Sequence, residues 1–355
     1  MISAALLRSV RCPDCGGEIS GAGTTYTCRG CGRLFDGAGG YLDLRPVAAF
    51  AEQTKYLDEA LHVDARHARV APPLLGSKIR NDMLRRFLAP ASGDAVIDLG
   101  CGSGRTLVWN AASGARLTGV DISAHFAVEA LEHSDLILGD LRRLPLHDGA
   151  FTKAWSLDVL EHLSPDALHA MLVEANRVLA NGGALFVYTH VRKNGWPAAG
   201  VRLVNRFAHF CERRGWLDLR RERLRKSDHL NPIADHDDLR RVTMAAGFRI
   251  ERITYYTPVV GAFVENVLVR IAERRMTRRA ARSSPAVESA ADDGQGVRQA
   301  RATAQARVGK RGWEYRLLTV VTAIMKIDIW LFGRIASGPF FALLRKTGPP
   351  PAPGR

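Results

Sequence analysis

Two pairs of cysteines near the amino terminus have the spacing of a metal site. Two residues separate Cys12 from Cys15 and Cys28 from Cys31, and twelve residues separate the pairs. Two thiolates on one tight turn can bind the same ion, and four thiolates complete a tetrahedral zinc site. Four protein ligands leave no open position for a substrate. The spacing therefore predicts a structural zinc ion rather than a catalytic one.

Two disulfide bonds are the alternative explanation for these cysteines. Disulfides are typical of secreted proteins, and residues 1–11 are too short and lack the apolar core of a secretory segment. A module of about 35 residues buries little core, so we expect the metal to supply stability. We predict a zinc ribbon over residues 1–46 and a cytoplasmic location. The two remaining cysteines, Cys101 and Cys211, are expected to be buried structural thiols.

Three glycines at alternate positions follow the apolar run Ala95–Leu99. A run of this length suits a buried parallel strand. Gly100, Gly102 and Gly104 permit a tight turn and let a ligand approach the backbone closely. Residues 106–112 then indicate the start of a helix. A strand, a glycine loop and a helix predict a nucleotide-type binding corner, although the spacing matches neither a P-loop nor a dinucleotide fingerprint.

Acidic residues close the next three apolar runs. Asp121 follows 117–120 at about the distance at which such folds bind ribose hydroxyls. Asp140 follows the run at 136–138, and Asp158 follows Phe151–Leu157. Further strands are predicted at 184–189, 248–256 and 338–346, and a helical stretch at 177–183.

This ordered series resembles the class I S-adenosylmethionine-dependent methyltransferases, in the branch that includes quinone-biosynthesis and other small-molecule enzymes. The resemblance spans roughly residues 90–260. It implies an α/β fold with a Rossmann-like seven-stranded sheet and a reversed last strand. It also implies S-adenosylmethionine as the cofactor. The residues that it places at the cofactor are Asp98, Gly100, Gly102, Gly104, Asp121, Ile122, Asp140, Leu141 and Asp158.

Simpler structural explanations exist for several of these residues. The glycines could form an ordinary strand–helix turn, and Asp121 could be a helix cap before Ser123. Asp140 could be a turn residue without a ligand. His162, close behind Asp158, is expected to be packed or hydrogen-bonded rather than catalytic.

Three other histidines are candidates for a general base. His190, His229 and His236 lie in segments that the resemblance places near the acceptor, and the pKa of histidine is close to working pH. Any of them could accept a proton from a hydroxyl or phenol during methyl transfer.

The amino-terminal cysteines carry a second resemblance. The segment through Phe35 and Tyr41 to Pro46 is similar to the zinc ribbon that precedes the methyltransferase domain of ribosomal-RNA guanine methyltransferases. Such ribbons also precede methyltransferases of unassigned substrate. This resemblance favours an RNA substrate without deciding for it.

Charge is distributed unevenly along the 355 residues, whose net charge is +14. Residues 94–190 carry 12 acidic and 6 basic side chains, a net charge of −6. Residues 192–226 have a net charge of +8 and residues 270–311 a net charge of +7. The basic segments either face an anionic partner or are solvated. They lie outside the part of the chain that resembles a cofactor-binding fold.

These observations give a domain plan. A helical lead-in at 47–92 follows the ribbon, and the methyltransferase domain is predicted over 93–260 and 338–346. A basic, amphipathic lid is expected at 195–230. An insertion at 261–337 contains two apolar helices and a flexible linker at 277–311, and 347–355 is expected to be disordered. No run is long enough to span a bilayer, but tryptophans and a basic flank also suit an interfacial helix.

The favoured function is methyl transfer to a hydrophobic or lipid-linked small molecule, with an anionic membrane surface, at the inner face of the membrane, as a further partner. The first alternative is an RNA methyltransferase, favoured by the ribbon and the basic segments. Against it, the basic segments lack interleaved aromatic residues that could stack bases. The second alternative is a non-catalytic scaffold with a methyltransferase-like fold.

Overall fold

The computed structural model describes residues 2–46, 70–220, 223, 229–275 and 312–350. The β-strands in these ranges are β1 Ile19–Ala22, β2 Thr25–Cys28, β3 Leu34–Asp36, β4 Leu42–Asp43, β5 Ala95–Leu99, β6 Arg116–Asp121, β7 Asp135–Leu138, β8 Phe151–Leu157, β9 Leu179–His190, β10 Phe248–Tyr255 and β11 Pro339–Lys346. The α-helices are α1 Ala4–Leu7, α2 Leu75–Leu88, α3 Arg105–Asn110, α4 Val128–His133, α5 Pro165–Val178, α6 Ala198–Arg213, α7 His236–Ala245, α8 Val259–Phe263, α9 Trp313–Met325 and α10 Ile327–Phe332.

The main sheet has the order β10-β11-β9-β8-β5-β6-β7-β4. All neighbours are parallel except β11, which runs antiparallel to both β9 and β10. The predicted Rossmann-like fold with a reversed last strand is therefore confirmed. The chain order reverses at β5, with β6 on one side and β8 on the other. In sheets of this kind a ligand binds beyond the carboxyl end of such a strand.

The sheet has one strand more than the seven expected. The extra strand, β4, pairs in parallel with β7 through Leu42 opposite Ile137 and Asp43 opposite Leu138. Because β4 lies at the end of the cysteine-containing segment, that segment supplies an edge of the main sheet. Two residues are too few to give a period-2 signal, so the sequence pattern did not reveal this strand.

The amino-terminal segment and the main sheet share one hydrophobic core. Its buried members from the amino-terminal segment are Leu6, Val10, Cys12, Ile19, Tyr26, Cys28, Phe35, Leu42 and Leu44. They belong to the same cluster as Leu146 and Phe151 of the main fold. Backbone hydrogen bonds also join the parts, since Arg11 N–H donates to Pro145 O at 3.0 Å. The ribbon is therefore packed as part of the domain.

The carboxyl-terminal helices pack with their polar residues inward. Thr322 of α9 is buried and accepts a hydrogen bond from Leu75 N–H of α2 at 3.0 Å. Lys326 pairs with Asp82 of α2 at 2.6 Å. Asp328 of α10 is also buried and accepts hydrogen bonds from the first turns of α8. Several apolar side chains of α9 and α10 are left on the surface. No helix in the described ranges has the length and apolar character needed to cross a membrane.

One predicted boundary is wrong. Residues 177–183 were expected to be helical and the fifth strand was expected to start at 184. Instead α5 ends at Val178 and β9 starts at Leu179. Leu179 is buried and pairs with Phe151 of β8, so the chain becomes extended directly after the helix.

Parts of the domain plan fall outside the described residues. These parts are residues 47–69 of the lead-in, most of 221–228 in the basic lid, the linker at 277–311 and residues 351–355 of the tail. The described part of the lead-in contains α2, and the described part of the lid contains α6.

Candidate active site and metal centre

The glycine loop makes a tight bend at the carboxyl end of β5. Gly100, Gly102 and Gly104 have φ angles of 82°, 54° and 77°, in the left-handed region that favours glycine. A Cβ on Gly100 would lie 2.5 Å from a methyl of Val159, and one on Gly104 would lie 2.5 Å from Cβ of Ala130. Those two glycines are required by packing. A Cβ on Gly102 would meet no atom within 4 Å, so this side of the bend faces open space where a ligand can approach.

Asp121 holds the middle of this bend. Gly102 N–H donates to Asp121 Oδ2 at 2.7 Å. Asp121 Oδ1 accepts from Ser123 N–H at 3.0 Å and from its hydroxyl at 3.1 Å. The next helix, α4, starts at Val128, so Asp121 forms a turn with Ser123 and does not cap a helix. A carboxylate can accept further hydrogen bonds, and Asp121 retains capacity for ligand hydroxyls.

Asp98 lies beneath the bend rather than on its open side. It is in β5, opposite Gly119 of β6 and Trp155 of β8, and only 3% of its surface is exposed. Burial, together with the nearby charge of Asp121, raises the pKa of Asp98 to about 7. Cys101, beside the bend, has a pKa raised well above its usual range by burial.

The loop after β7 is held by a local ion pair. Arg142 Nη2 lies 3.0 Å from Asp140 Oδ2, and Arg142 N–H donates to Asp140 Oδ1 at 2.9 Å. Asp140 has the geometry of a turn residue, which is the simpler explanation that the sequence left open for it. Leu141 is half-buried and packs against the core, and Ile122, after β6, is also half-buried. Asp140 is therefore held within its own loop by Arg142.

Asp158 follows β8 in a strained conformation. Its φ angle of 56° is rare for a residue other than glycine, and such strain concentrates at functional sites. Arg80 of α2 approaches Asp158 Oδ2 at 3.4 Å and lies over the Tyr188 ring, 5.4 Å from its centroid. Burial raises the pKa of the Tyr188 phenol. Arg80 and Tyr188 were missed in the sequence because only tertiary packing brings α2 to this edge. The one signal was an arginine between the apolar residues Ile79 and Met83 of a helix.

Two of the three candidate bases lie together. The rings of His190 and His229 are 5.4 Å apart, and those of His229 and His162 are 4.7 Å apart. Glu161 adjoins His162 on the turn Leu160–His162. Burial, together with the charge of Asp158, raises the pKa of Glu161 to about 7. We refer to Glu161, His162, His190 and His229 as the histidine cluster.

The third candidate, His236, has a different environment. Its Nε2 lies 2.8 Å from the Ser337 carbonyl oxygen, and its ring packs edge-on against Tyr255 and Phe340. Burial lowers the pKa of His236. These contacts hold the start of β11 against α7.

The four amino-terminal cysteines converge on one point. Cys12 Sγ lies 3.7 Å from Cys31 Sγ, and Cys15 Sγ lies 3.4 Å from Cys28 Sγ, with all four sulfurs within 4.8 Å of one another. A tetrahedral zinc ion with Zn–S bonds of about 2.3 Å separates its sulfurs by about 3.8 Å. None of the six cysteines forms a disulfide bond in this structure.

Backbone N–H groups surround these sulfurs. Gly17 N–H donates to Cys15 Sγ at 3.4 Å and Gly30 N–H to Cys28 Sγ at 3.3 Å. The N–H of Cys31 also donates to Cys28, and these bonds lower the pKa of the Cys28 thiol to about 6. The residues therefore fit a thiolate-bound ion.

Comparison with known proteins identifies a family for the central part of the chain. Residues 97–187 match the family described as a methyltransferase domain. The matched segment contains the glycine bend together with Asp121, Asp140 and Asp158. The predicted resemblance to S-adenosylmethionine-dependent methyltransferases is thereby confirmed for this part of the chain.

Curated relatives match over the same region. The chain is 32% identical over 114 residues to a 27-O-demethylrifamycin SV methyltransferase of Amycolatopsis mediterranei, which covers 29% of this chain and 41% of that protein. It is 29% identical over 143 residues to a malonyl-[acyl-carrier protein] O-methyltransferase of Erwinia billingiae, covering 38% of this chain and 56% of that protein. The chain thus spans about half the length of these relatives. Among solved structures, the [4+2]-cyclase SpnF aligns with a TM-score of 0.46 and 17% identity over 82% of this chain and 93% of that one.

Proposed function

We propose that this protein is an S-adenosylmethionine-dependent methyltransferase that acts on a hydrophobic or lipid-linked small molecule. The observation that carries the proposal is the bend at β5, where Gly102 faces open space and its N–H is fixed by Asp121 at 2.7 Å. This bend lies where the strand order reverses, as nucleotide-type sites do in such sheets. The family match over 97–187 supports the same activity.

The chain's own residues divide the work at this edge of the sheet. When bound, S-adenosylmethionine supplies a methyl group activated by a positive sulfur. Gly102 would let the backbone approach the cofactor, and Asp121 would accept its ribose hydroxyls. Asp158 and Arg80 would border the space for the acceptor. Holding the two reactants in line is the main source of rate enhancement in such a transfer.

A histidine of the histidine cluster would accept the acceptor's proton where the nucleophile is a hydroxyl. The cluster lies just beyond Asp158, on the acceptor side. We assign no such role to His236, because its Nε2 lies on the Ser337 carbonyl.

The cofactor site can be tested with two matched glycine variants. Gly102 and Gly182 both have positive φ, 54° and 69°, and a Cβ on either meets nothing within 4 Å. Gly102→Val and Gly182→Val therefore carry similar backbone strain, but only the first places methyl groups in the proposed cofactor space. Isothermal titration calorimetry should show S-adenosylmethionine binding lost in Gly102→Val and kept in Gly182→Val. Equal affinity in both variants would contradict the proposed site.

The four cysteines would hold a structural zinc ion that stabilises the edge of the main sheet. Because the cysteine-containing segment shares a hydrophobic core with β7, loss of the ion should destabilise the whole domain. Elemental analysis should give one zinc per chain in the purified protein and much less in Cys28→Ser. That variant should also melt at a lower temperature. Cys211→Ser, which changes a buried cysteine outside the cluster, is the control and should retain its zinc.

A lipid-linked acceptor is supported by the exposed apolar side chains of three helices, which we call the apolar surface: Leu203, Phe207 and Phe210 of α6, Trp313, Leu317, Val320 and Ile324 of α9, and Ile327, Trp330 and Leu331 of α10. Trp313 is 70% exposed and Trp330 is 82% exposed. The helices α6, α9 and α10 all contact α8. Arg202, Arg206 and Arg213 of α6 add positive charge. Apolar side chains flanked by arginine suit the headgroup region of an anionic membrane.

Vesicle sedimentation tests this membrane contact. The protein should bind phosphatidylglycerol vesicles, less so as salt rises, and should bind phosphatidylcholine vesicles weakly. Leu317→Ser combined with Trp330→Ser should reduce binding by about tenfold. Leu34→Ser, an equally exposed apolar residue of β3, should not. Concentration-dependent dimerisation without vesicle binding would instead identify the surface as a contact between two copies.

The acceptor class can be tested with radiolabelled cofactor. Methyl transfer should label material in a lipid extract of cells, and the label should be lost with Gly102→Val. Label in total RNA and none in the lipid extract would favour the RNA alternative.

A further inference from the structure

Three side chains of the histidine cluster are arranged like the ligands of a second metal site. One carboxylate oxygen of Glu161 and one nitrogen each of His162 and His229 all lie within 4.8 Å of one another. Glu161 and His162 follow β8, and His229 comes from a segment almost seventy residues later. Folding therefore brings them together at the carboxyl edge of the sheet.

Hydrogen bonds build this arrangement. Glu161 is 3% exposed, and its Oε2 accepts from the Thr189 hydroxyl at 2.8 Å, which orients the carboxylate. The Glu161 carbonyl oxygen accepts from the N–H groups of Leu230 and Asn231 at 2.8 and 2.9 Å. Those two bonds fix the segment that carries His229 against the turn that carries His162. Partners that orient a ligand in this way are typical of metal sites.

Two further observations point to a ligand. The rings of His162 and His229 are inclined at 84°, so their nitrogens can approach one point from different directions. Asn231 has a φ angle of 48°, and its buried Oδ1 has no hydrogen-bond partner among the described residues. A buried polar atom without a partner, two residues after His229, is the kind of group that a bound ion or water completes.

We propose that Glu161, His162 and His229 bind a divalent transition-metal ion that holds the methyl acceptor. Ligand bonds of about 2.1 Å would bring the three atoms to about 3.4 Å from one another, which from separations of at most 4.8 Å is a contraction of at most about 1.4 Å. Two imidazoles and one carboxylate suit manganese, iron, cobalt or zinc better than magnesium. Three protein ligands leave coordination positions open, unlike the four cysteines.

The open positions identify a class of acceptor. An ion with two or more free positions binds best a molecule that offers two neighbouring oxygens, such as a catechol or a hydroxyl beside a carbonyl. With His162 and His229 on the ion, His190 is the histidine left to accept a proton. This proposal rests on the proposed function, because it places the ion on the acceptor side of the proposed cofactor site.

Manganese is a suitable probe because the four cysteines are soft ligands that do not favour it. Electron paramagnetic resonance of free Mn²⁺, with the full-length zinc-loaded protein, should show one ion bound per chain. Glu161→Gln and His229→Ala should each weaken this binding by at least about tenfold. His169→Ala, an exposed histidine on α5, should leave it unchanged. No saturable binding, or equal binding in His229→Ala, would overturn the proposal.

A paired titration tests the acceptor class. Catechol should bind more tightly when Mn²⁺ is present, whereas phenol, which has one oxygen, should bind equally with and without the ion. If Mn²⁺ changed the affinities for catechol and phenol equally, the proposal that the ion chelates the acceptor would be overturned. Calorimetry of S-adenosylmethionine without added metal separates the two hypotheses. Loss of manganese binding with intact cofactor binding contradicts only the metal site, whereas absent cofactor binding contradicts the proposed function.

Discussion

The two sides of the candidate site are built in different ways. The proposed cofactor side is local, because Gly100, Gly102 and Asp121 lie within 22 residues and the Gly102 N–H donates to the Asp121 carboxylate. The proposed acceptor side is assembled from distant segments, including Arg80 of α2 and His229 beyond the basic lid. We infer that the cofactor side tolerates few substitutions, whereas the acceptor side can change its chemistry without changing the fold.

The largest effect is expected at Asp121. Asp121→Ala removes the acceptor for Gly102 N–H and the proposed acceptor for the ribose hydroxyls. We expect S-adenosylmethionine affinity to fall about 100-fold, measured by calorimetry. Asp94→Ala is the control, because Asp94 lies at the opposite end of β5 and binds Lys153 at 2.7 Å. If Asp94→Ala lowered the affinity for S-adenosylmethionine as much as Asp121→Ala, the loss would reflect a less stable protein rather than a local contact.

The second effect concerns the packing of the bend. Gly100→Ala introduces a Cβ 2.5 Å from a Val159 methyl at a φ of 82°, and should destabilise the protein by about 2 to 3 kcal/mol in urea unfolding. Part of that loss is steric. The double variant Gly100→Ala with Val159→Ala should therefore be more stable than the sum of the single changes predicts, by about 1 kcal/mol. Strict additivity would show that backbone strain alone requires glycine here.

Asp121 and Gly100 also show why the proposed cofactor side of the site could be predicted from the sequence. Short apolar runs followed by glycine or aspartate gave β5 to β8, and the bend follows from the glycines alone. The pattern did not locate Arg80, because helical periodicity gives the buried face of α2 but not the element that it meets. The sequence pattern also did not show which face of α9 packs against the domain. The sequence predicted an apolar helix there, but only the contacts of Thr322 with Leu75 and of Lys326 with Asp82 show which side of α9 faces α2.

On the acceptor side, Arg80→Met should separate binding from turnover. The change keeps an unbranched apolar stem but removes the cation beside Asp158. We expect an unchanged S-adenosylmethionine affinity and a roughly tenfold lower kcat/KM for the acceptor, once one is found. Arg86→Met, an exposed position on the same helix, should behave as the unmodified protein does. An equal loss of cofactor affinity in Arg80→Met would mean that the two sides are not independent.

The smallest effect concerns the buried carboxyl under the bend. Burial raises the pKa of Asp98 to about 7, whereas in the unfolded chain it is near 3.8. The folded state therefore holds a proton that the unfolded state has lost, and stability falls as pH rises through 7. Between pH 6 and pH 8 the loss should be about 1 kcal/mol. Urea unfolding of the unmodified protein and of Asp98→Asn at both pH values isolates this contribution, because the other titrating groups are common to both. Parallel pH dependences would show that Asp98 is already ionised at pH 6. In that case the bend would rest on a buried negative charge.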